Sequence, residues 1–404
     1  VGLDLPVDYV DHHLSHAAAG AYSSPFRDAA VLVMDAIGEF ETTSVWRYRD
    51  AKLERVFSAE YPQSVGLFYS AFTKEIGLKP NEEEYILMGL SGYGRDVAFS
   101  DVLNDAFDLD RDFPLLKRNY HQGVGNEAFG KYDSKDLARA TQLVYEAVLE
   151  RVLAFVRRRT GIENLVLMGG CALNCLANRL IKKHFSSWWV FPNPGDAGSS
   201  VGAAAAAAGR LDFDTPYLGH AIDGDYPVVE ALHGLLQNRC VAVASGRAEF
   251  GPRAFGNRSL FADPRGEKTK DNVNLIKKRE KFRPFAPVVL EEHFAELFET
   301  GGDQSAPYMQ CVYDIKRPEL YPAVTHVDGT SRVQTVNRAQ HPGLHELISR
   351  FYEATGCPML LNTSLNIKGM PLANDVHDAR DFSARYGVPV FGPAASGRIR
   401  AQSA

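Results

Sequence analysis

Leu165-Val-Leu-Met168-Gly169-Gly170 is four consecutive apolar residues running into a glycine pair. An unbroken apolar run of this length reads as a strand buried on both faces, and the glycines mark a sharp turn at its C-terminal end. A helix is expected next, from about Asn174 to Lys183. Trp188-Trp-Val-Phe191 then repeats the pattern, turning at Pro192-Asn-Pro-Gly195 into a helix of small residues from Ser199 to Ala208. Upstream, Ala29-Ala-Val-Leu-Val-Met34 is a second buried run with Asp35 at its end, and Ser44-Val-Trp-Arg-Tyr48 is a plausible partner strand. Between them, apolar residues recur at helical spacing from Lys135 to Arg158, with Ser134 the expected N-cap. Strand, glycine turn and helix in repetition predict an α/β sheet with its sites at strand C-termini. A hinge is expected between Gly209 and Pro227, where Gly, Pro and Asp cluster. A second α/β region opens at Cys240-Val-Ala-Val-Ala244, and the tail after Tyr386 is expected to be poorly ordered.

The 404 residues suit two domains, and 45% hydrophobic with 23% charged content argues against global disorder. Lys+Arg 44 against Asp+Glu 50 leaves −6, so general binding to nucleic acid or anionic lipid is not the default. Cys171, Cys175, Cys240, Cys311 and Cys357 are odd in number and lack CxxC spacing, as expected of reduced thiols in a cytoplasmic protein. No apolar run approaches the roughly 18–20 residues of a membrane span.

Asp11-His12-His13-Leu14-Ser15-His16 is the sharpest local feature. On a helix His12 and His16 fall at i and i+4, on one face. With Asp35 they would form a facial site for a divalent metal; ordinary surface histidines are the equal alternative. Asp196, in Pro194-Gly-Asp-Ala-Gly198, either caps the following helix or supplies a fourth ligand. Gly169-Gly170 is either a tight turn or a close approach to nucleotide. Between Gly246 and Arg283 eleven Lys/Arg stand against five Asp/Glu, a local +6 interleaved with Phe and Pro. Arginine forks held against apolar surface suit phosphate recognition, while a solvated charged face is the plainer reading. Asn362-Thr-Ser-Leu-Asn366 follows the strand Pro358-Met-Leu-Leu361, a hydroxyl and amide cluster suited to phosphate or ribose oxygens or to simple turns. His326-Val-Asp328-Gly329 with Arg332-Val-Gln334 is a further polar cluster of the same kind.

Taken together, HHLSHAAAGAY, VLVMDAIGE, MGLSGYG, LMGGCALNCLAN, NPGDAGSSVGAA, GRAEFGPRAFGNRSLFADPR, IKKREKFRPFAPVVL, THVDGTSRVQTV and LLNTSLN, in this order over residues 8 to 375, resemble the ATP-dependent O-carbamoyltransferases of nodulation-factor and antibiotic-tailoring pathways. The resemblance implies an actin/Hsp70/sugar-kinase-like (ASKHA) domain over 1–213, a linker at 214–226, a YrdC-like domain over 227–386 and a tail at 387–404. It implies that carbamoyl phosphate and ATP, with Mg, form a carbamoyl-adenylate in the second domain. A small-molecule hydroxyl would then take the carbamoyl group in the first; a hydroxymethylated nucleobase is a less favoured acceptor. Lys277, Arg279, Arg247, Arg253 and Arg283 would neutralise phosphates, and Ser364, Asn366, Gly169, Gly170 and Asn174 would hold the nucleotide. His12, His16, Asp35 and Asp196 would bind a divalent metal, iron(II) by the same likeness. A homodimer is expected to be possible, and no membrane association is expected. By the same likeness the family's front element, with its own His-Asp motif ahead of HHLSH, has no counterpart here, so the first domain is expected to be N-terminally incomplete; Ile86 stands where many relatives carry Lys, and Leu365 replaces a common Phe. Two other readings follow: a degenerate copy that binds ligands without turnover, and a tRNA threonylcarbamoyl-type system.

Overall fold

The computed structural model describes residues 7–393 apart from 126, 239 and 368, together with the backbone of 398–399. The chain divides into two compact α/β units, Val1–Phe213 and Asp214–Ala404.

The first unit is built on a five-stranded sheet. Three strands form an antiparallel meander, β1 (Asp28–Gly38), β2 (Glu41–Arg49) and β3 (Lys52–Glu60). On its other side β1 pairs in parallel with Asn164–Met168, which pairs in parallel with Ser187–Val190. Each residue from Ala29 to Val33 is fully buried, as the continuous apolar run requires of a central strand covered on both faces. β3, at the edge, carries Lys52, Glu54, Arg55 and Glu60 and is largely solvent-facing, which protects the edge from further pairing.

One face is covered by the 27-residue helix Ser134–Thr160, whose Leu137, Val144, Val148, Val152 and Val156 are buried at helical spacing. Its cap is Asp133, one residue earlier than expected: the carboxylate accepts from the Lys135 backbone N–H at 2.8 Å, and Ser134 is the first helical residue. The helix expected over 174–183 is instead two 3-10 segments, Gly170–Leu173 and Ala177–Lys183. Asn174 lies between them and its side chain accepts from the Ala177 N–H, which closes a turn in place of a continuous helix.

The second unit carries a seven-stranded mixed sheet in the order Gln334–Val336, Ala286–Leu290, Met359–Ser364, Arg258–Ala262, Cys240–Ala244, Val390–Phe391, Arg398–Ile399. The expected linker at 214–226 is not free chain. Ala221–Ile222 pairs antiparallel with Gly246–Arg247, and Pro216 accepts from the Phe250 N–H, so its backbone groups are satisfied within the second unit. The tail also departs from expectation. Gly387, at φ 66°, ends the helix Val376–Tyr386, and Val390–Phe391 then joins the sheet parallel to Cys240–Ala244 with Val388 and Val390 buried. The remainder of that tail lies outside the described residues, apart from the backbone pairing of Arg398–Ile399. Among the described residues no helix is long and apolar enough to cross a membrane.

Candidate active site

The helix His12–Ser23 (α1) sets His12 and His16 one turn apart, and its remaining face is alanine and glycine. That small-residue face admits a close neighbour, the helix Asp196–Ala208. A Cβ on Gly202 would lie 1.7 Å from the Ser15 carbonyl oxygen, so only glycine permits this approach. It brings Asp196, in the first turn of its helix, to the imidazoles. Asp35 arrives from the end of β1. Gly169, at φ 89°, allows the turn after Asn164–Met168 to pass beside β1, where a Cβ would strike the Met34 carbonyl oxygen at 2.1 Å.

Four side chains expected as ligands therefore converge. His12 Nε2 lies 3.2 Å from Asp35 Oδ2, 3.4 Å from Asp196 Oδ1 and 3.1 Å from His16 Nε2. His16 Nε2 lies 3.3 Å from each of the same two carboxylate oxygens. His16 is fully buried, Asp35 is buried, His12 is half-buried and Asp196 faces solvent. Donating to the Asp196 and then the Asp35 carboxylate raises His12 to about 10, against its partial burial. Burial alone would push Asp35 up, but the His12 and His16 hydrogen bonds outweigh it and hold its carboxyl low. Hydrogen bonds from His12 and His16 likewise hold Asp196 below the usual carboxylate range.

The set has the composition and spacing of a divalent-cation site. A tetrahedron edge is about 1.6 times its bond length, so bonds of about 2.0–2.1 Å place donors about 3.3–3.4 Å apart. The five separations that involve an imidazole, 3.1–3.4 Å, are near that spacing, all four donor atoms lie within 4.8 Å of one another, and two imidazoles with two carboxylates suit zinc or iron(II). His16 Nδ1, buried, finds no partner among the described residues, so no carbonyl or carboxylate orients that ring from behind. His13 faces elsewhere: Nδ1 bonds Ser44 Oγ at 2.8 Å, and burial lowers it to about 4, so it is neutral.

The residues expected around nucleotide in this unit divide. Gly170 adjoins the quartet, where a Cβ would lie 3.1 Å from Asp35 Oδ1. Asn174 is committed to a side-chain pair with Gln142, its Nδ2 donating to Gln142 Oε1 at 2.9 Å and its Oδ1 accepting from Gln142 Nε2 at 3.1 Å.

In the second unit Lys277 meets Ser364 and Asn366. Lys277 Nζ donates to the Ser364 carbonyl at 2.7 Å, the Asn366 carbonyl at 3.0 Å and Asn366 Oδ1 at 2.5 Å, and Ser364 Oγ donates to Asn366 Oδ1 at 2.7 Å. Burial, with Arg279 and Arg283 nearby, brings Lys277 down to about 7. Arg279 lies over Phe285, its Cζ 4.1 Å from the ring centroid, and donates through Nε to Asn274 Oδ1 at 2.8 Å. Arg283 NH1 lies 3.5 Å from Glu280. Arg247 instead braces the backbone, its guanidinium donating to the Gly219 and Leu218 carbonyls at 3.1 and 2.6 Å. Arg253, half-buried, stands on the loop 249–257.

Sequence reasoning missed what fixes that loop. Buried Glu249 Oε1 accepts the N–H groups of Phe255, Asn257 and Arg258 at 2.7, 2.9 and 3.3 Å. Asn362, Tyr217, Gln334 and Tyr226 hold the carbonyls of residues 254 to 256. Arg258, by sequence one more cation of the basic segment, is fully buried and donates to the carbonyls of Ser245, Gly246, Asn257, His220 and Asn374. The one available signal was the burial implied by Arg258-Ser-Leu-Phe-Ala262 reading as strand.

The family model "Carbamoyltransferase N-terminus" matches residues 3–205 and "Carbamoyltransferase C-terminus" matches residues 233–391. The uncharacterized protein sll1178 of Synechocystis sp. is 36% identical, over 93% of this chain and 73% of its own length. Nodulation protein NolO of Bradyrhizobium diazoefficiens is 31% identical, over 92% of this chain and 75% of its own. The 3'-hydroxymethylcephem-O-carbamoyltransferase of Amycolatopsis lactamdurans is 35% identical, over 72% of this chain and 60% of its own. The chain thus spans 60 to 75% of the length of these relatives. Among solved structures, full-length HypF in its phosphate- and nucleotide-bound form overlaps 51% of this chain and 36% of its own, at 15% identity and a TM-score of 0.32. On the two family models and the relatives that cover most of its length, this chain belongs to the O-carbamoyltransferase family.

Proposed function

We propose that this chain activates carbamoyl phosphate with ATP in its second unit and transfers the carbamoyl group to a small-molecule hydroxyl in its first. Support comes above all from the His12–His16–Asp35–Asp196 quartet, four donors within 4.8 Å of one another from three separate elements of the first unit. Water takes the phosphoryl group of carbamoyl phosphate, releasing phosphate and carbamate; a carbamate oxygen then bonds the α-phosphorus of ATP, and pyrophosphate leaves. Lys277, Arg279, Arg283 and Arg253 neutralise the phosphates during this step, and stacking on Phe285 holds the Arg279 plane ready for them. Ser364 and Asn366 position phosphate or ribose oxygens from the strand end beside Lys277.

In the first unit a divalent cation, iron(II) by the family likeness, would polarise a bound carbonyl or orient the acceptor oxygen. The residues themselves do the rest. His16 and Asp35, buried, keep their side of the site dry, while His12 and Asp196 face the side open to substrate. The acceptor hydroxyl attacks the carbamoyl carbon and AMP departs. With Mg, ATP and carbamoyl phosphate, the full chain should release phosphate and pyrophosphate without an acceptor. On addition of a hydroxyl acceptor, mass spectrometry should find one carbamoyl group gained. Absence of phosphate release refutes the proposal.

A further inference from the structure

Among the described residues of the first unit the exposed aromatic side chains are Tyr9, Phe40, Tyr61 and Tyr85, and three of these lie on segments that border the His12–His16–Asp35–Asp196 quartet. Tyr9, 93% exposed, precedes by three positions His12, the first residue of α1. Phe40, 76% exposed, stands at the tip of the hairpin between β1 and β2. That hairpin lies against the quartet, since a Cβ on Gly38 would strike the His12 and His13 rings. Phe40 is two residues further on, which keeps its Cα within roughly 7 Å of that of Gly38. β3 returns to the same end of the sheet. Tyr61, 41% exposed, follows its last residue, and the Tyr61 N–H donates to the Phe40 carbonyl at 2.9 Å.

Single exposed apolar side chains are ordinary on a protein surface. Here they gather at one sheet end, beside a ligand-competent site, and one of them is pinned. The Tyr61 hydroxyl accepts from Asn119 Nδ2 at 2.5 Å, and its ring meets His121 edge-on at 5.7 Å. The backbone of Phe40 is anchored to this residue, and its ring is left to solvent. A surface already held in place loses little freedom when a ligand lies on it. The quartet offers only imidazoles and carboxylates, which can orient a hydroxyl without reading the body that carries it. An aromatic face supplies that missing contact. It packs the flat apolar face of a ring in one layer, whereas an open chain must first give up rotamer freedom to lie against it.

We propose that Phe40, with Tyr61 beside it, is the acceptor platform of the first unit and sets its specificity for hydroxyls carried on or next to a ring, as in a sugar, a cyclitol or a carbocycle. This rests on the proposed function and narrows its acceptor from any small-molecule hydroxyl to a ring-borne one.

The experiment follows carbamoyl transfer by the full chain, supplied with ATP, carbamoyl phosphate, Mg and iron(II). The acceptors are methyl glucoside and cyclohexylmethanol, set against the open-chain sorbitol and hexan-1-ol, with products read by mass spectrometry. Wild type should show about tenfold higher kcat/KM for the ring-borne hydroxyls. Phe40→Ala should raise KM for them about tenfold with little change in kcat, the signature of lost ground-state packing. Its zinc affinity in equilibrium dialysis should match wild type, which separates a lost platform from a disturbed quartet. Phe40→Trp, which keeps a flat ring, should restore the low KM. Equal use of ring and open-chain acceptors by wild type overturns the platform, as does transfer to neither ring probe while phosphate is released. An unchanged KM in Phe40→Ala overturns it too, and each of these leaves carbamoyl activation standing. Absence of phosphate release from wild type overturns the proposed function, and the platform with it.

Discussion

Replacing Lys277 by methionine keeps the side chain's length and removes its charge. In the folded chain burial, helped by Arg279 and Arg283, holds this lysine at about 7, against an ordinary value of 10.5. The unfolded chain therefore binds more protons than the folded one between those two values. Wild-type stability must accordingly rise with pH across that window, by up to about 1.4 kcal/mol per pH unit. Near pH 7 the folded lysine is half protonated and the slope is halved; integrating to pH 9 gives a gain of about 2 kcal/mol. The methionine variant lacks this contribution, so its advantage or deficit relative to wild type should move by that amount in wild type's favour. Denaturant melts followed by circular dichroism at pH 7, 8 and 9 measure the difference. Phosphate should reverse the protonation: an anion at this site favours the ammonium, so binding at pH 7 should take up about half a proton. Calorimetry in two buffers of different ionisation enthalpy reads this uptake. A difference between the proteins that stays constant from pH 7 to 9, with no proton uptake on binding phosphate, would refute the idea that this lysine is an anion-receiving group held partly uncharged by burial.

Two further outcomes follow from the first unit. His16→Ala should lower the chain's affinity for zinc or iron(II) by at least a hundredfold in equilibrium dialysis and abolish carbamoyl transfer. It should leave phosphate release from ATP and carbamoyl phosphate intact; equal loss of both half-reactions would contradict the division between the units. Gly202→Ala forces a Cβ to 1.7 Å from a backbone oxygen, so the two helices must separate. The expected result is a loss of about 2–4 kcal/mol of stability with weakened metal binding, and an unchanged melting temperature would show that the contact is not needed.

How far the chain can be read from sequence depends on whether the deciding interaction is local. Periodicity locates the buried strands Ala29–Met34 and Leu165–Met168 because side-chain burial there is set by position along one element. The i, i+4 histidines are legible for the same reason. That Asp35 and Asp196 join them depends on distant segments, and what makes it geometrically possible is Gly202, whose need for closeness to Ser15 appears in no local pattern. The hinge and the tail escape a local reading in the same way. Gly, Pro and Asp mark a chain that forms no helix, yet they do not say whether its N–H and C=O groups find partners further along, as those of Ala221–Ile222 and Val390–Phe391 do.

The basic segment shows why composition misleads within a site. Local charge of +6 suggests a set of equivalent phosphate-binding cations, but charge does not say where a side chain's donors are spent. Arg258 gives its donors to five backbone carbonyls in the interior, and Arg247 gives its own to two, so both act on the backbone of the second unit itself. Lys277 differs in kind. Its three acceptors are the Ser364 and Asn366 groups at a strand end, and burial leaves it partly uncharged, so an arriving anion can draw a proton to it. A cation already neutralised by a carboxylate would have to give up that ion pair before meeting a phosphate. Lys277 is held by neutral oxygens, so a phosphate would be its first full counter-charge. That distinction, not the number of basic residues, separates Lys277, a proposed phosphate partner, from the backbone-bracing arginines Arg247 and Arg258.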